Sequence, residues 1–253
     1  MKQFQDYDPF AWLYANYWGG TFHKAARVPL RRLLTSQLPA HAQVLDLCCG
    51  DGRLAALLVR SGFRVTGVDG SEKMLAFARQ RCPEARFLLA DARSLDLPPR
   101  FHAAVSSFDS LNHIMTARDL GRVFCSVWRL LRPGGLFVFD LNREEAYRNS
   151  WVKTGSIVTA DVVSVSRGVF LAEQRLAVCD ITLMRRNNGC WERSDFRLRQ
   201  RLHPRATVLG KLAEVGFEAC VHDAAELGMK GEIGQGRDFY EARKPLRRLA
   251  GAI

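Results

Sequence analysis

The sequence predicts an α/β fold: a doubly wound, mostly parallel sheet with an antiparallel C-terminal strand and an inserted antiparallel β-layer. From Gln43 to Asn142, short apolar runs alternate with helical patterns in the order β-α-β-α-β-β-α-β. That order is typical of a parallel sheet with helices on both faces. Residues 155–203 instead carry long runs of alternating apolar and polar residues, which predict antiparallel strands.

Aromatic residues are dense at the start of the chain. They precede the run "RVPLRRLLTSQL" and are Phe4, Tyr7, Phe10, Trp12, Tyr14, Tyr17, Trp18 and Phe22. Residues 1–37 therefore predict one or two helices that pack on the rest of a single domain, as a lid. An ordinary packed amphipathic helix explains the same pattern.

The predicted ligand-binding core covers residues 38–143. Its first strand is "VLDL", Val44 to Leu47, and its strands are nearly all apolar, which fits burial on both faces. Gly62 is expected to end the first helix of the core and Ser71 to cap the second. The run "RPGG" is expected to end a third helix before Leu136.

Residues 144–203 are predicted to form the inserted sheet. Its three alternating runs are "GSIVTADVVSVSR", "VFLAEQRLAVCDITLMRR" and "WERSDFRLRQRLH", and "NNG" at 187–189 is a hairpin turn signal. Residues 204–253 return to a helix, "TVLGKLAEVGF", and two strands, "EACVHDA" and "RDFYEARK", which complete the core sheet. Exposed edges of the inserted sheet are compatible with a homodimer.

Composition narrows the class of protein. The chain has 253 residues, of which 47% are hydrophobic and 25% charged, as in an ordinary globular protein. No apolar run approaches the ~20 residues of a membrane span, and the N-terminus does not resemble a signal peptide. Seven cysteines without C-x-x-C or zinc spacing suggest reduced thiols, no metal and a cytoplasmic location.

The net charge of +11 raises the question of a nucleic-acid partner. The arginines are scattered, however, and no basic stripe is interleaved with aromatic residues. We therefore expect an arginine-rich solvated surface, with an anionic substrate or nucleic acid as the less favoured interpretation.

The segment "VLDLCCGDGR" contains a glycine turn at the end of the first strand, where open α/β sheets bind ligands. Gly50-x-Gly52-x-x-Ala55, with Asp69 at the next strand end, fits the dinucleotide fingerprint and leaves a nicotinamide enzyme open. Asp46 argues against that reading, because a pyrophosphate favours backbone N–H groups rather than a nearby carboxylate. An aminoacyl ligand with an ammonium group suits Asp46 better.

Five segments between residues 44 and 142 resemble, in the same order, the class I S-adenosylmethionine-dependent methyltransferases. They are "DLCCGDG", "VTGVDGSEKML", "LLADARSL", "FHAAVSSFDSLNHI" and "LLRPGGLFVFDLN". The opening "YDPFAWLYANYWG" and the end "GFEACVHD…GRDFYEARKP" resemble the small-molecule enzymes of that family. The insertion is similar in kind to that of amino-sugar N-methyltransferases and glycine N-methyltransferase. The resemblance implies a Rossmann-like sheet.

The resemblance also implies a cofactor site for S-adenosylmethionine and its product S-adenosylhomocysteine. Asp69 is expected to accept hydrogen bonds from both ribose hydroxyls. Gly50 and Gly52 let the backbone approach the methionine part, and Asp46 acts toward the ammonium through the turn's backbone or a water. The remaining predicted cofactor residues are Tyr14, Cys48 (where the family has a glycine), Gly70, Ser71, Met74, Asp91, Ala92, Phe108 and Asp109.

Within that set, Asp91 and the N–H of Ala92 are expected at the adenine edge, with Asp91 capping the next loop as the alternative. Met74 and Phe108 are expected on the faces of the adenine ring, and core packing is the alternative for Met74. Phe108 and Asp109 are expected along the methionine part.

His113 is the candidate general base, because its unperturbed pKa near ~6.5 suits proton transfer at neutral pH. A histidine that only holds a loop by hydrogen bonds is the alternative. Tyr7, Tyr17 and Trp18, together with Tyr14, are expected to cover the sulfonium and acceptor, since an aromatic face attracts a cation. Asn112, His113 and side chains of residues 155–203 are expected to shape the acceptor pocket.

The sequence therefore favours a small-molecule methyltransferase that transfers a methyl group in line, to nitrogen rather than oxygen. An amine attacks without prior loss of a proton, whereas a hydroxyl needs a base or a metal. O-methylation with His113 as base and an RNA or protein methyltransferase are the alternatives. The tetrapeptide of base-amino methyltransferases is absent, because "FDSL" stands in its place.

Overall fold

The computed structural model describes residues 7–246; Phe4 lies outside the described residues. It contains two sheets, one of seven strands and one of four. The strands are β1 Gln43–Leu47, β2 Arg64–Asp69, β3 Arg86–Leu89, β4 Phe101–Ser106, β5 Leu131–Asn142, β6 Thr154–Val158, β7 Val162–Leu171, β8 Leu176–Asn187, β9 Cys190–Arg201, β10 Glu218–Asp223 and β11 Arg237–Arg243.

The large sheet has seven strands in the order β10-β11-β5-β4-β1-β2-β3. The five strands from β3 to β5 are parallel, and β11 joins β5 in antiparallel fashion, with β10 beyond it. The predicted fold class is therefore confirmed. Because β1 lies between β2 and β4, the strand order reverses at its carboxyl end, where such sheets bind their ligands.

Helices cover both faces of this sheet. One face packs on Phe22, Leu54 and Leu75, and the other on Leu120, Phe124 and their neighbours. The helices are α1 Ala11–Leu13, α2 Gly19–Ala25, α3 Arg27–Leu33, α4 Arg53–Arg60, α5 Glu72–Arg81, α6 Ala117–Leu130, α7 Glu144–Ala146 and α8 Arg205–Val215. Single π-helical segments span Tyr14–Trp18 and Tyr147–Trp151, and 3₁₀ turns span Thr35–Gln37, Ala92–Ser94, Ser110–His113 and Glu232–Gly234.

The helix boundaries follow from local chemistry. Ser71 caps α5 by accepting a hydrogen bond from the Met74 N–H, as predicted. Thr116 caps α6 in the same way. Gly216, with φ of 102°, ends α8 in the left-handed conformation that glycine adopts at low cost.

The inserted sheet has four antiparallel strands in the order β6-β7-β8-β9. Turns at residues 159–161 and 172–175 interrupt the first two of the three predicted runs, so the strands begin and end at other positions than predicted. The predicted hairpin turn at Asn188-Gly189 is present, with φ of 50° and 83°. The small and polar residues at these turns largely preserve the alternation of apolar and polar residues, so the sequence does not reveal the turns.

The N-terminal helices pack between the two sheets. Phe10 and Leu13 are buried against Ile181 and Leu198 of the inserted sheet and against Met74 of α5. Phe22 is buried in the core of the large sheet. The aromatic start of the chain therefore joins the two sheets, and both sheets border the space between them.

Candidate active site

A pocket lies at the carboxyl ends of β1, β2 and β4, between the large sheet, the N-terminal helices and the inserted sheet. Thirteen of the residues predicted for the site line it: Tyr7, Tyr14, Trp18, Cys48, Gly50, Asp69, Gly70, Met74, Asp91, Ala92, Phe108, Asp109 and His113. Eight further residues complete the lining: Phe10, Val68, Ala90, Ser110, Ile114, Trp151, Leu198 and Gln200.

Five predicted site residues lie outside the lining: Asp46, Gly52, Ser71, Tyr17 and Asn112. Tyr17 is 38% exposed and packs on Trp12, so its ring does not cover the pocket. Ser71 uses its side chain to cap α5 and to donate to Asp8. These five are placed around the pocket rather than on its surface.

The glycine turn is shaped by left-handed backbone at Cys48, Gly50 and Gly52, with φ of 57°, 53° and 76°. A Cβ on Gly52 would lie 2.9 Å from the backbone of Ala78, so glycine lets α5 pack against the turn. Cys48 adopts a conformation that costs a side-chain-bearing residue roughly 1–2 kcal/mol. This is the position where the family resemblance places a glycine, and the thiol lines the pocket.

Asp69 closes the turn onto β2. Its Oδ2 accepts a hydrogen bond from the Gly50 N–H and its Oδ1 one from the Ser71 N–H, each at 2.9 Å. Burial raises the pKa of this carboxyl, while the backbone donors act in the opposite direction. Each oxygen retains a second lone pair, so the carboxylate can still accept two ligand hydroxyls.

Asp46 lies beneath the turn and is 1% exposed. It accepts from the backbone N–H of Ala55, and its Oδ2 has no hydrogen-bond partner among residues 7–246. Burial, with the nearby Asp69 charge in second place, raises the pKa of Asp46 to about 8. The predicted action of Asp46 on an ammonium, through the turn's backbone or a water, stays a prediction. A nearby cation would stabilise its unpartnered Oδ2.

Replacing Asp46 with asparagine is expected to remove a pH-dependent loss of stability. Because the folded pKa is raised, the carboxyl contributes stability that is fully present below its unfolded pKa of ~3.9 and is lost as pH rises toward about 8. The loss amounts to at most about 1.4 kcal/mol per pH unit. Urea unfolding at several pH values should show a steeper decline for the wild type than for Asp46→Asn; parallel declines would contradict this assignment.

Asp91 follows β3 and lines the pocket beside Ala92. Its carboxylate is held by the Arg93 side chain, with Nε 3.0 Å from both oxygens and Nη2 2.7 Å from Oδ2. Partial burial would raise its pKa, but the hydrogen bonds from Arg93 outweigh burial and lower it. Asp91 is thus ionised, and an adenine amine would share this carboxylate with Arg93.

Met74 is packed in a buried cluster and also lines the pocket. It lines the pocket and is also part of the buried cluster that joins α5 to the N-terminal helices and the inserted sheet. Its packing is thus established, while an adenine contact stays a prediction.

Phe108 and Asp109 form a left-handed pair after β4, with φ of 61° and 48°. Their backbone N–H groups donate to Oδ1 and Oδ2 of Asp140, at 2.7 and 2.9 Å. Arg237 is buried between the carboxylates of Asp140 and Asp109 and donates to both. Such strained backbone persists where surrounding bonds hold it, and it is concentrated at functional sites.

The Phe108 ring stacks on Phe22, with ring centroids 4.4 Å apart, and lies 5.8 Å from the ring of Tyr14. Burial raises the pKa of Tyr14 well above its usual value, and the charges of Asp51 and Asp109 add to that effect. Tyr14 therefore presents a neutral phenol to the pocket. Three aromatic rings thus lie next to the glycine turn.

His113 is held by bonds to both ring nitrogens. Nδ1 lies 2.7 Å from the Arg199 carbonyl, which can only accept, so we assign the proton to Nδ1. Nε2 then accepts from Nε2 of Gln200 at 2.9 Å. The Tyr7 hydroxyl also bonds to Nδ1. Burial lowers the pKa of His113, so the ring is neutral at physiological pH. The predicted general-base role stays a prediction.

Asn112 ties the same loop to both sheets. Its Oδ1 accepts from the Asn142 N–H of β5, and its Nδ2 donates to the Arg201 carbonyl of β9, each at 2.9 Å. It is fully buried. Asn112 therefore supports the pocket from behind rather than facing an acceptor.

Three of the eight lining residues that sequence reasoning missed, Trp151, Leu198 and Gln200, come from the inserted sheet and the segment that leads to it. Leu198 and Gln200 reach the pocket because β9 folds back over the loop that carries His113. A polar Gln200 on the same strand face as Leu198 and Phe196 was the one available signal. Asp140, at the end of β5, was visible as a carboxylate after an apolar strand.

Comparison with known proteins places this architecture. Residues 44–135 match the family profile described as a methyltransferase domain. A putative methyltransferase of Bacillus subtilis, YqeM, is 30% identical over 219 residues, which are 83% of this chain and 87% of that protein. The chain therefore belongs to the methyltransferase family, within its class I S-adenosylmethionine-dependent group, as the sequence motifs predicted.

Two further similarities are informative. The dTDP-3-amino-3,4,6-trideoxy-α-D-glucopyranose N,N-dimethyltransferase of Streptomyces venezuelae is 30% identical over 149 residues, 58% of this chain and 62% of that protein. The sugar N-methyltransferase KedS8 from a Streptoalloteichus species superposes with a TM-score of 0.77 at 20% identity, covering 93% of this chain and 92% of that one. The latter likeness shows a shared fold.

The chemistry of the pocket lining decides whether S-adenosylmethionine fits it. Among residues 7–246, three carboxylates and no lysine or arginine line the pocket. That donor set suits a cationic ligand without phosphate and disfavours a pyrophosphate. The neighbouring Asp46 Oδ2 is a buried acceptor without a partner among the described residues. The residues present fit the aminoacyl sulfonium cofactor.

Between residues 7 and 246, no helix is both long and apolar enough to cross a membrane. Within these residues, no group of three or more histidine, cysteine, aspartate or glutamate side chains is arranged to hold a metal ion.

Proposed function

We propose that this methyltransferase methylates a nitrogen of a small, uncharged acceptor, with S-adenosylmethionine as methyl donor. The observation that carries the choice of nitrogen is the state of His113. Both of its ring nitrogens are engaged, and Nε2 accepts from Gln200. A hydroxyl acceptor needs a free base, whereas a neutral amine attacks without one.

Three positions of the chain would hold the parts of the cofactor. Asp69 would hold the ribose hydroxyls, the backbone at Gly50 would lie along the methionine part, and Ala92 would meet the adenine edge. S-adenosylmethionine, when bound, supplies an electrophilic methyl group on a sulfonium. The aromatic side chains Tyr14 and Phe108 lower the cost of a cation at this position.

The chain itself mainly orients the acceptor and excludes water. The wall formed by the N-terminal helices and the inserted sheet contains Tyr7, Phe10, Trp18, Trp151 and Leu198. Such a wall favours an acceptor with apolar faces, such as a deoxysugar or an aromatic ring.

The dTDP-amino-sugar relative and the sugar N-methyltransferase KedS8 support nitrogen as the methylated atom. The nucleotide portion of the substrate named for the dTDP-amino-sugar relative does not suit this pocket. Since no lysine or arginine lines the pocket among residues 7–246, a diphosphate would have no cationic partner inside it. An acceptor without phosphate is therefore proposed here.

The test pairs acceptors that differ only in the attacking atom. An amino deoxysugar with its hydroxy counterpart, and an aniline with the matching phenol, are incubated with the enzyme and methyl-labelled S-adenosylmethionine. Label is expected in the amines, with S-adenosylhomocysteine released in equal amount. Preferential labelling of the hydroxyl partners would overturn the proposed choice of nitrogen.

A further inference from the structure

Gln200 occupies the junction between the inserted sheet and the cofactor side of the pocket. It lies at the end of β9 and is 1% exposed. Its Nε2 donates to Oδ2 of Asp109 at 2.5 Å and to Nε2 of His113 at 2.9 Å. Its Oε1 accepts from the Tyr147 hydroxyl at 3.0 Å and from Nδ2 of Asn142 at 3.3 Å.

These four bonds use both N–H donors and both lone pairs of the amide. The orientation of the amide is thereby determined, because the nitrogen faces two acceptors and the oxygen faces two donors. A buried polar group that is satisfied in this way holds its neighbours in one arrangement. Asp109 and His113 are the two neighbours that line the pocket.

The groups that face His113 are few. Asp109 contributes a negative charge from the loop after β4, and Tyr7 contributes its hydroxyl from the N-terminal segment. The Arg199 carbonyl and the Gln200 amide come from β9. Arg237 and Asp140 lie one bond further, on the other side of Asp109. Of these partners, only the Gln200 amide reaches both His113 and the carboxylate of Asp109.

We propose that Gln200 is a positioning residue for methyl transfer: its amide holds His113 neutral, with the proton on Nδ1, and orients the carboxylate of Asp109 toward the pocket. The role of Gln200 in methyl transfer rests on the proposed function. A neutral ring keeps a second positive charge away from a cationic cofactor, and the nearby carboxylate of Asp109 favours that cofactor. Gln200 thereby joins the acceptor side, on the inserted sheet, to the cofactor side.

The decisive variant is Gln200→Glu. It preserves the size of the side chain but replaces the donating amide by a carboxylate that faces Asp109 and the Nε2 atom of His113. His113 is then expected to take up a proton, so that the new carboxylate gains a donor. The pKa of His113 should rise, and a new ionisation should appear in the pH profile of kcat.

Nitrogen-correlated NMR of the histidine rings measures this without any enzymatic assay, and His113→Asn identifies the His113 signals. In the wild type, His113 is expected to be neutral near pH ~7, with the proton on Nδ1. In Gln200→Glu, it is expected to be protonated near pH 7. Gln174→Glu, the same change at an exposed turn residue, is the matched control and should leave the His113 signals unchanged.

Activity gives the second readout. Gln200→Glu is expected to lower kcat by about tenfold or more, with a pH dependence that the wild type and the Gln174→Glu control lack. The proposal is overturned if His113 of the wild type titrates with the ordinary pKa of histidine, or if it carries its proton on Nε2. Both results are obtained even if the variant fails to fold. If the enzyme methylates no amine, the proposed function fails, whereas the NMR result still decides the role of Gln200.

Discussion

Replacing Asp69 with alanine is expected to weaken S-adenosylmethionine binding by about 100-fold. The carboxylate lines the pocket, and both oxygens have lone pairs left after binding the Gly50 and Ser71 N–H groups. Two charge-assisted hydrogen bonds to ribose hydroxyls contribute about 1.5 kcal/mol each, which together correspond to about two orders of magnitude in Kd. Isothermal titration calorimetry measures the change.

The control is Asp180→Ala. Asp180 is a carboxylate of the inserted sheet that is paired with Arg197 at the surface, so cofactor affinity should stay within about threefold of the wild type. Thermal unfolding without ligand must show that Asp69→Ala is folded, because the carboxylate also closes the glycine turn. A folded Asp69→Ala variant with wild-type affinity would remove Asp69 from the cofactor site.

Replacing Arg237 with methionine is expected to destabilise the fold by about 3–5 kcal/mol. Arg237 is 4% exposed and bridges two buried carboxylates, so its removal leaves Asp109 and Asp140 without their cation. The Phe108–Asp109 turn depends on Asp140 and is expected to lose its left-handed backbone. Cofactor affinity should fall together with stability.

The pH dependence of this variant distinguishes buried charge from lost packing. Burial raises the pKa of Asp140 to about 6, although Arg237 acts to lower it. Without Arg237 that pKa rises further, so the stability of the variant is lost as pH rises through it and is regained on acidification. Urea unfolding at about pH 5 and pH 8 should show a smaller deficit at the lower pH.

The matched control is Arg197→Met, which removes an exposed arginine from an ion pair with Asp180. Its effect should stay below about 1 kcal/mol at both pH values. A pH-independent deficit for Arg237→Met would assign its role to packing against Phe22, over whose ring the guanidinium lies at 5.0 Å.

Much of the large sheet could be predicted because its signals are local. Apolar runs of strand length, separated by Gly62, Ser71 and "RPGG", indicate the alternation of strands and helices. The helix α6 ends at Leu130, before "RPGG", but β5 already begins at Leu131 and includes that run. Since parallel strands present their carboxyl ends at one edge, Asp69 and Asp91 were expected at the same site, and both line the pocket.

The acceptor side could not be predicted in the same way. Leu198 and Gln200 reach the pocket only through the packing of the inserted sheet, which no local pattern determines. The alternation along β9 assigns residues to a face but not to a partner. The left-handed pair Phe108–Asp109 also carries no local signal, because its conformation is imposed by Asp140.

The structure separates the predicted site residues that line the pocket from those that support it from behind. Asp46, Gly52 and Asn112 shape the turn and the loop from behind the pocket surface. Their substitution is expected to act through backbone position, whereas Asp69 and Asp109 line the pocket itself. Sequence motifs identify both kinds of residue without separating them.

The most direct test of the central claim is calorimetric titration of the wild-type protein with S-adenosylmethionine, S-adenosylhomocysteine and NAD. We expect micromolar binding of both adenosyl ligands and none of NAD, because the pocket offers carboxylates and aromatic rings but no cation for a pyrophosphate among residues 7–246. Binding of NAD, with neither adenosyl ligand bound, would contradict the account.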